Sequence, residues 1–292
     1  MFIPINRYIK LLKVPNDGNF PYCTCVFIED DIRVLIDSGC GSKLASELRQ
    51  YGLDILINTH FHSDHTLNTG QLGPVEIWCH ELDVPGLRSL DGYLDLYGFH
   101  LFQGQALGQL LAEHFSFTSR EVQRELKDGE MLDFGHIQLR VIHTPGHTPG
   151  HCCFFDEYNE ILFSADIELG PLGIWYSHLC SDLDQFIQSI EKCMELKPRQ
   201  VISGHSGVVE GDLNTLFLSC RDRILRKEDK ILKSMSAPIT IEALAEQHSF
   251  SCPKLEFGPY VKYFDKHGVY KHLERLIKHR RVDREGDLYF RI

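Results

Sequence analysis

Hydrophobic and polar positions along the chain alternate in some stretches and fall at helical spacing in others, and the changes mark the elements. "YCTCVFIEDDIRVLIDSG" (22–39) holds two β-rich runs around the charged turn Glu29-Asp30-Asp31, the pattern of a hairpin. "SKLASELRQYG" (42–52) then sets Leu44, Leu48 and Tyr51 on one helical face, with Gly52 as the stop. "LDILINTH" (53–60) is short and nearly all apolar, as expected of a strand buried on both faces. "PVEIWCH" (74–80) is another strand. Residues 83–128 lack alternation and carry long apolar side chains at mixed intervals. They are expected as helices inserted between strands, "TSREVQRELKDG" (118–129) being the clearest. Strands resume at "MLDFGHIQLRVIHTPG" (131–146), "HCCFFDEYNEILFSAD" (151–166) and "RQVISGH" (199–205). "DLDQFIQSIEKCMEL" (182–196) is a helix between the last two.

Strands thus alternate with helices but are interrupted by hairpins, which predicts an α/β fold with a mixed sheet system and helices packed outside. A polar helix, "DLNTLFLSCRDRILRKEDKILKSM" (212–235), follows, and "SAPIT" (236–240) breaks the pattern. Residues 1–235 are therefore expected as one domain and 236–292 as a second, smaller one. In the latter, "TIEALAEQHS" (240–249) and "YKHLERLIKHRRV" (270–282) read as helices, and "DREGD" (283–287) as a turn between "RRV" and "LYFRI". Helix, helix, hairpin is the order of a small winged-helix-like module.

At 292 residues, 43% hydrophobic and 24% charged, the chain can bury a sizeable core. No apolar run approaches the roughly 20 residues of a membrane span. Arg7, Lys10 and Lys13 interrupt the N-terminal stretch where a secretory signal needs an unbroken apolar run, so the expected location is the cytoplasm. Among the ten cysteines, Cys23 and Cys25 share one face of a strand-like run, and Cys152 and Cys153 are adjacent. No second pair stands at zinc-ribbon spacing, so they are expected as small buried hydrophobes. The net charge of −11 opposes non-specific binding to nucleic acid, yet from Lys262 onward nine Lys/Arg face five Asp/Glu.

Potential metal ligands gather where strands end, the places where sites assemble in α/β folds. "THFHSDHTLNTG" (59–70) carries His60 and His62, two apart and so on one side of an extended segment, then Asp64 and His65 where the chain should turn into a helix. "HTPGHTPGH" (143–151) presents His147 between Pro-Gly turns, "LFSAD" delivers Asp166 and "VISGHSG" delivers His205. Imidazole and carboxylate together favour zinc over calcium or magnesium.

In this order, "THFHSDH", "TPGHTPGH", "SAD" and "SGH" resemble the metallo-β-lactamase superfamily, in the two-metal branch that includes glyoxalase II-like hydrolases. The H-x-H-x-D-H motif is complete, and the resemblance covers residues 1–235. It implies an αββα sandwich with the site at one edge of the two sheets. It further implies that His60, His62 and His147 bind one metal, that Asp64, His65 and His205 bind a second, and that Asp166 bridges both. Asp37, in "VLIDSG", matches the family's early Asp, which supports a ligand histidine from behind. His143 and His151 are left, with Cys25 and Cys40, as packing residues. Two zinc ions are the expected cofactors, since the second motif position is His62 rather than the Glu of redox di-iron relatives. Iron or manganese would use the same ligands. A hydroxide held between two such ions is a nucleophile near neutral pH, with Asp64 and Asp166 as the carboxylates that orient it.

The substrate is less legible. The insertion at 83–128 brings Tyr93, Tyr97, Phe99, His100 and Phe102, which either line an apolar pocket or pack as core. "GPLGIWYSHLCSD" (170–182) adds Trp175, Tyr176 and His178 as further substrate contacts. The layout of the tail looks like the lactamase-beta-2-like group, whose members are assigned hydrolase or nuclease roles. A winged helix with Lys278, Arg280, Arg281 and Arg284 could hold a nucleic-acid backbone. Against that, the acidic remainder repels a polyanion, and no aromatic-basic platform accompanies these residues. A small-molecule acyl substrate (thioester, ester or lactone) is the favoured expectation, with nuclease and regulator as alternatives and a lid or homo-oligomer contact as the tail's plainest use. β-Lactam hydrolysis is disfavoured, since a periplasmic enzyme would be expected to carry an export signal.

Overall fold

Along the third strand Val26 and Ile28 point to one side and Phe27 to the other, and this period of two sets up the layers of the whole molecule. The computed structural model describes residues 1–171, 173–248 and 259–292. A first sheet of seven strands runs in chain order: β1 Phe2–Pro4, β2 Ile9–Leu12, β3 Val26–Glu29, β4 Arg33–Ile36, β5 Ile55–Ile57, β6 Glu76–His80 and β7 Arg124–Leu126. Its first four strands pair antiparallel, and β4 to β7 pair parallel. The second sheet comprises β8 Met131–Asp133, β9 Gln138–His143, β10 Cys152–Asp156, β11 Ile161–Ala165, β12 Gln200–Ser203 and β13 Gly207–Val209. Its spatial order is β13-β12-β11-β10-β9-β8, with only β11 and β12 parallel.

The two sheets face each other. Val26, Val34, Ile36, Ile55 and Ile57 of the first meet Leu139, Val141, Phe154, Phe163 and Ile202 of the second in one buried cluster. The outer face of the first sheet, Phe27, Leu35 and Leu56, is covered by Leu44, Ala45 and Leu48 of helix α1 (Ser42–Tyr51). Each such leucine, fully buried, contributes about 1.5–3 kcal/mol. The outer face of the second, Cys153, Phe155, Leu162 and Val201, is covered by α6 (Leu183–Glu195) and α7 (Leu213–Ser234). The layering is αββα.

Between these elements the chain forms α2 (Ser63–Thr66), α3 (Val84–Arg88), α4 (Leu90–Tyr97) and α5 (Gln105–His114). The insertion is therefore helical, but its expected clearest helix, 118–129, is not one. Residues 124–126 form β7 instead, Leu126 pairing with His80 and entering the inter-sheet core while the Arg124 guanidinium lies 4.3 Å from the Trp78 ring centroid. Val122 and Leu126 are four apart and mimic a helical face, but completion of the parallel sheet edge outweighs local propensity. All nine described cysteines are free thiols, and all but Cys180 are buried.

After α7 come β14 (Ile239–Thr240), α8 (Ile241–Gln247), α9 (Pro259–Lys278) and the hairpin β15 (Val282–Glu285) and β16 (Leu288–Arg291), which form a three-stranded sheet in the order β14-β16-β15. Ser249, the last position of the helix expected over 240–249, lies outside the described residues. Leu244, Val269, Leu273 and Leu276 share one continuous core with Phe186 and Ile190 of α6 and with Tyr176. Ion pairs reinforce this contact: Asp184 of α6 accepts from Arg275 (2.7 Å), Lys278 (2.7 Å) and His279 (3.0 Å), and the buried Glu228 of α7 accepts from Arg275. Burial raises the pKa of both carboxylates, but Lys278, His279 and Arg275 at Asp184, and His272 and Arg275 at Glu228, outweigh it and hold them below their usual range. A depressed carboxylate contributes stability above its unfolded pKa, near 4, and loses it as pH falls through the lower folded value. Acidification below about pH 4 is therefore expected to loosen α9 from α6 and α7. Trp175 packs against Phe264 of α9 and its fluorescence would report the change, while Asp184→Asn should make the transition shallower.

Candidate metal centre

Strand ends and tight turns carry every candidate ligand to one edge of the sandwich. After β5 the chain stays extended through His62 (φ −61°, ψ 149°) and then turns into α2, which carries Asp64 and His65. His147 sits between β9 and β10. Gly146 before it has φ +125°, and a Cβ there would lie 2.2 Å from the Phe186 backbone nitrogen. Asp166 follows β11 and His205 follows β12.

The three motif histidines converge. His60 Nε2 and His62 Nδ1 are 3.0 Å apart, His147 Nε2 and His62 Nδ1 2.9 Å, and His147 Nε2 and His60 Nε2 3.3 Å. A tetrahedral ion with nitrogen ligands at 2.0–2.1 Å spaces them about 3.3 Å apart, so the observed triangle is close to the size such an ion needs. Asp166 joins this group, its Oδ2 3.3 Å from His147 Nε2, while its Oδ1 lies 3.0 Å from His65 Nε2 and 3.6 Å from His205 Nε2. Asp64 Oδ2 completes the second group at 3.4 Å from His205 Nε2 and 3.9 Å from His65 Nε2. All seven expected residues are thus brought together, as two adjoining groups with one carboxylate between them.

The residues fit divalent cations on hydrogen-bonding grounds as well. Among the described residues, His65 Nε2 and Asp166 Oδ1 are buried and, though 3.0 Å apart, make no well-formed hydrogen bond, an expensive arrangement unless something else satisfies them. The remote nitrogens, by contrast, are held. His60 Nδ1 meets Thr59 Oγ1 (2.9 Å), His65 Nδ1 meets Asp37 Oδ2 (2.7 Å), His147 Nδ1 meets the Trp175 carbonyl (2.8 Å) and His205 Nδ1 meets the Gly18 carbonyl (2.8 Å). Such partners fix tautomer and ring orientation. Asp37 also accepts from the Thr59 backbone and hydroxyl, and does so from φ +60°, which aspartate tolerates better than most residues.

The electrostatics divide the two groups. Burial, aided by neighbouring imidazoles, pushes His60 and His62 well below the usual histidine range, and His147 below it, leaving lone pairs free to bind a cation. Burial acts the same way on His65 and His205, but nearby anionic groups outweigh it and hold both well above that range. Asp166 is held well below the carboxylate range by His65, His205 and His147 despite burial. Cys23 lies beside this second group. Burial would raise its thiol, yet Cys25 and His65 draw it down to about 7.

The weaker expectations separate. Tyr97, Trp175 and His178 do border the centre, with ring centroids 5.0, 5.5 and 4.7 Å from that of His62. Tyr93 is core, its hydroxyl bonded to Ser63 Oγ at 2.7 Å. Tyr176, expected at the surface as a substrate contact, is buried, and its hydroxyl meets His272 of α9 at 3.0 Å. Its ring packs on Phe186 rather than on the motif histidines, because the loop is pulled outward by α9 at that residue.

Three residues that hold the centre were not singled out from sequence. Asp83, fully buried, accepts from Phe61 N (3.1 Å), Thr148 Oγ1 (2.6 Å) and Gly150 N (2.6 Å), tying the loop of His60 and His62 to the loop of His147. Burial pushes its carboxyl up to about 6 even against those three donors. His151, read as packing, bonds Thr144 through Nδ1 and accepts the Asp166 backbone N–H at Nε2 (3.1 Å). Glu168 accepts from the backbone nitrogens of His205 (2.9 Å) and Gly170 (2.7 Å). The strand-end rule that found His60 and Asp166 also applies after β6, and there it would have pointed to Asp83.

Residues 18–205 match the family model of the metallo-beta-lactamase superfamily, and the chain belongs to that superfamily. It is a hydrolase of that class with a divalent-metal site. The atrochrysone carboxyl ACP thioesterase of Aspergillus fumigatus is 26% identical over 213 residues, covering 70% of this chain and 56% of that protein. The acyl-coenzyme A thioesterase MBLAC2 of Gallus gallus is 28% identical over 192 residues, covering 59% of this chain and 68% of that protein. In fold, the chain is similar to a metallo-beta-lactamase family protein of Thermus thermophilus, with a TM-score of 0.74 over 99% of this chain and all of that one at 22% identity. Among the described residues, no helix is long and apolar enough to cross a membrane.

Proposed function

We propose that the protein hydrolyses the carbonyl linkage of a small acyl substrate (a thioester, ester or lactone) at a centre of two divalent cations. The observation that carries this reading is the pair of adjoining ligand groups with Asp166 between them. His60, His62 and His147 would hold one cation, Asp64, His65 and His205 the other, and Asp166 both. The donor set suits zinc, and iron or manganese would accept the same ligands. Bound there, the cations supply Lewis acidity, acidifying water and polarising an acyl carbonyl. Asp64 and Asp166 would orient the attacking water, both being slightly exposed at the centre. Asp37 holds the His65 ring in the tautomer that leaves Nε2 free. Tyr97 and Trp175 border His62 and limit water on that side.

Two thioesterases among the relatives favour an acyl substrate. We read residues 236–292 as a winged-helix-like module that braces the centre rather than a nucleic-acid clamp. Three of the four tail cations in question are paired with carboxylates: Lys278 with Asp184, Arg281 with Glu228 and Arg284 with Asp287. The free thiols suit a reducing compartment, and the reading places the enzyme in the cytoplasm.

The test is a parallel assay of metal-loaded protein on acyl-thioesters, lactones and aryl esters, with single-stranded RNA and an aryl phosphodiester alongside. Cleavage in the acyl arm is the expected result. Cleavage of phosphodiesters alone would turn the tail into a clamp and end the acyl reading.

A further inference from the structure

Of the five histidines in the two ligand groups, four have their remote nitrogen held by a side chain or carbonyl. His62 is the exception. Its Nδ1 faces His60 and His147 and is therefore the atom that would bind a cation and so carry no proton. The ring proton then sits on Nε2, which is buried and, among the described residues, has no hydrogen-bond partner. A buried donor left bare is costly, so an acceptor is wanted.

Besides the other motif histidines, the ring of His62 packs against the fully buried His178, with centroids 4.7 Å apart and planes tilted by 47°. The tautomer of His178 can be worked out from its neighbours. Ser181 Oγ donates to the His147 carbonyl at 3.0 Å, and among the described residues that carbonyl has no other donor. The single hydroxyl proton of Ser181 is thereby committed, so the close contact between Ser181 Oγ and His178 Nδ1 requires the proton on Nδ1. His178 Nε2 is then a bare acceptor, and it too is buried with no hydrogen-bond partner among the described residues. One orphan donor and one orphan acceptor stand on adjacent rings.

We infer that His178 is the positioning partner of His62, its Nε2 accepting the His62 Nε2–H directly or through one water, and that helix α9 holds it in place. The second clause rests on how the loop around His178 is gripped. On one side the Leu179 and Cys180 backbone nitrogens donate to the Tyr97 and Leu96 carbonyls at the end of α4 (3.2 and 3.1 Å). On the other, Lys271 Nζ of α9 donates to the Leu179 carbonyl (2.9 Å), and His272 meets the Tyr176 hydroxyl (3.0 Å). Gly98 lets the three elements close: it has φ +83°, and a Cβ there would lie 2.4 Å from Leu179 Cβ and 3.0 Å from His267 Cε1. The same loop supplies the Trp175 carbonyl to His147, so two ligands of one group depend on it. The tail thus acts on the centre from behind. This inference rests on the metal assignment proposed above, though not on the substrate.

The test uses the full-length, zinc-loaded protein. Long-range proton–nitrogen spectra of histidine-labelled protein should place the proton of His178 on Nδ1 and that of His62 on Nε2, and a His178 proton on Nε2 would overturn the inference. Zinc affinity, read by competition with a chromophoric chelator, should fall about 10–100-fold in His178→Phe, as for other partners of ligand histidines. His178→Gln, whose amide oxygen can accept, should recover most of the loss, and Lys271→Met should show a smaller loss in the same direction. A role in packing alone predicts that phenylalanine, which fills the space, leaves affinity unchanged, and that result would also overturn it. Should His178→Phe not fold, Ser181→Ala, which frees the tautomer, serves in its place. None of these readouts requires hydrolysis, so a protein inactive on every acyl substrate would sink the proposed function and leave this inference standing.

Discussion

Asp166→Ala should leave the enzyme with acyl hydrolysis at background and with fewer than two tightly held zinc ions per chain. Among the described residues, Asp166 is the one carboxylate within 3.6 Å of ligand nitrogens from both groups. Without it, His65 and His205 lose the charge that faces them while Asp64 remains on one side only. Breaking a buried charged pair by removing one partner costs about 3–5 kcal/mol, which at about 1.4 kcal/mol per decade is roughly a 10²–10⁴-fold loss. Metal analysis after gel filtration and steady-state rates on one thioester measure both effects. Full activity with full zinc content would mean that Asp166 is not shared.

The second large effect is expected at Asp83, which touches no candidate ligand. Asp83→Ala orphans the Phe61 and Gly150 backbone nitrogens and the Thr148 hydroxyl together. Each buried donor left bare costs about 1–3 kcal/mol, so several kcal/mol in all, enough to lower the melting temperature of the metal-free protein by roughly 10 °C. Zinc affinity should fall with it, because Phe61 lies between His60 and His62 while Thr148 and Gly150 closely follow His147. Gly150→Ala reports on the same contact from the other side, since its Cβ would lie 2.7 Å from Asp83 Oδ1. A stable Asp83→Ala protein with native zinc affinity would show that the two loops are held by other means.

What could be read from the sequence follows physical range. His60, His62, Asp64 and His65 are set by a few consecutive residues at the end of β5, and spacing alone shows which of them share a side. His205 needed only its position after a strand, whereas Asp37, which by position alone reads as the start of a turn, was marked by its match to the family's early Asp. The alternation of strands and helices, broken by hairpins, made a mixed sheet system with helices outside legible, while the αββα layering was implied only by the resemblance of the metal motifs. That Phe27 faces away from Val26 and Ile28 is invisible in a run where all three are apolar. Residues 118–129 misled because Val122 and Leu126 fit a helical face, whereas β7 exists only where β6 offers a free edge. Tyr176 and His178 could not be sorted by sequence, because what turns one outward and the other inward is α9, some 90 residues further along. Asp83 stands at the start of the 83–128 insertion, and its three donors come from segments about 22, 65 and 67 residues away. Local chemistry was visible, and the contacts that aim it were not.

The most direct test of the account is a zinc titration of metal-stripped protein, with binding and thioester hydrolysis followed in the same samples. Two equivalents should bind per chain, and hydrolysis should return as the second site fills and disappear again with chelator. Hydrolysis that survives stripping, or a chain that binds two zinc ions and cleaves only phosphodiesters, would contradict it.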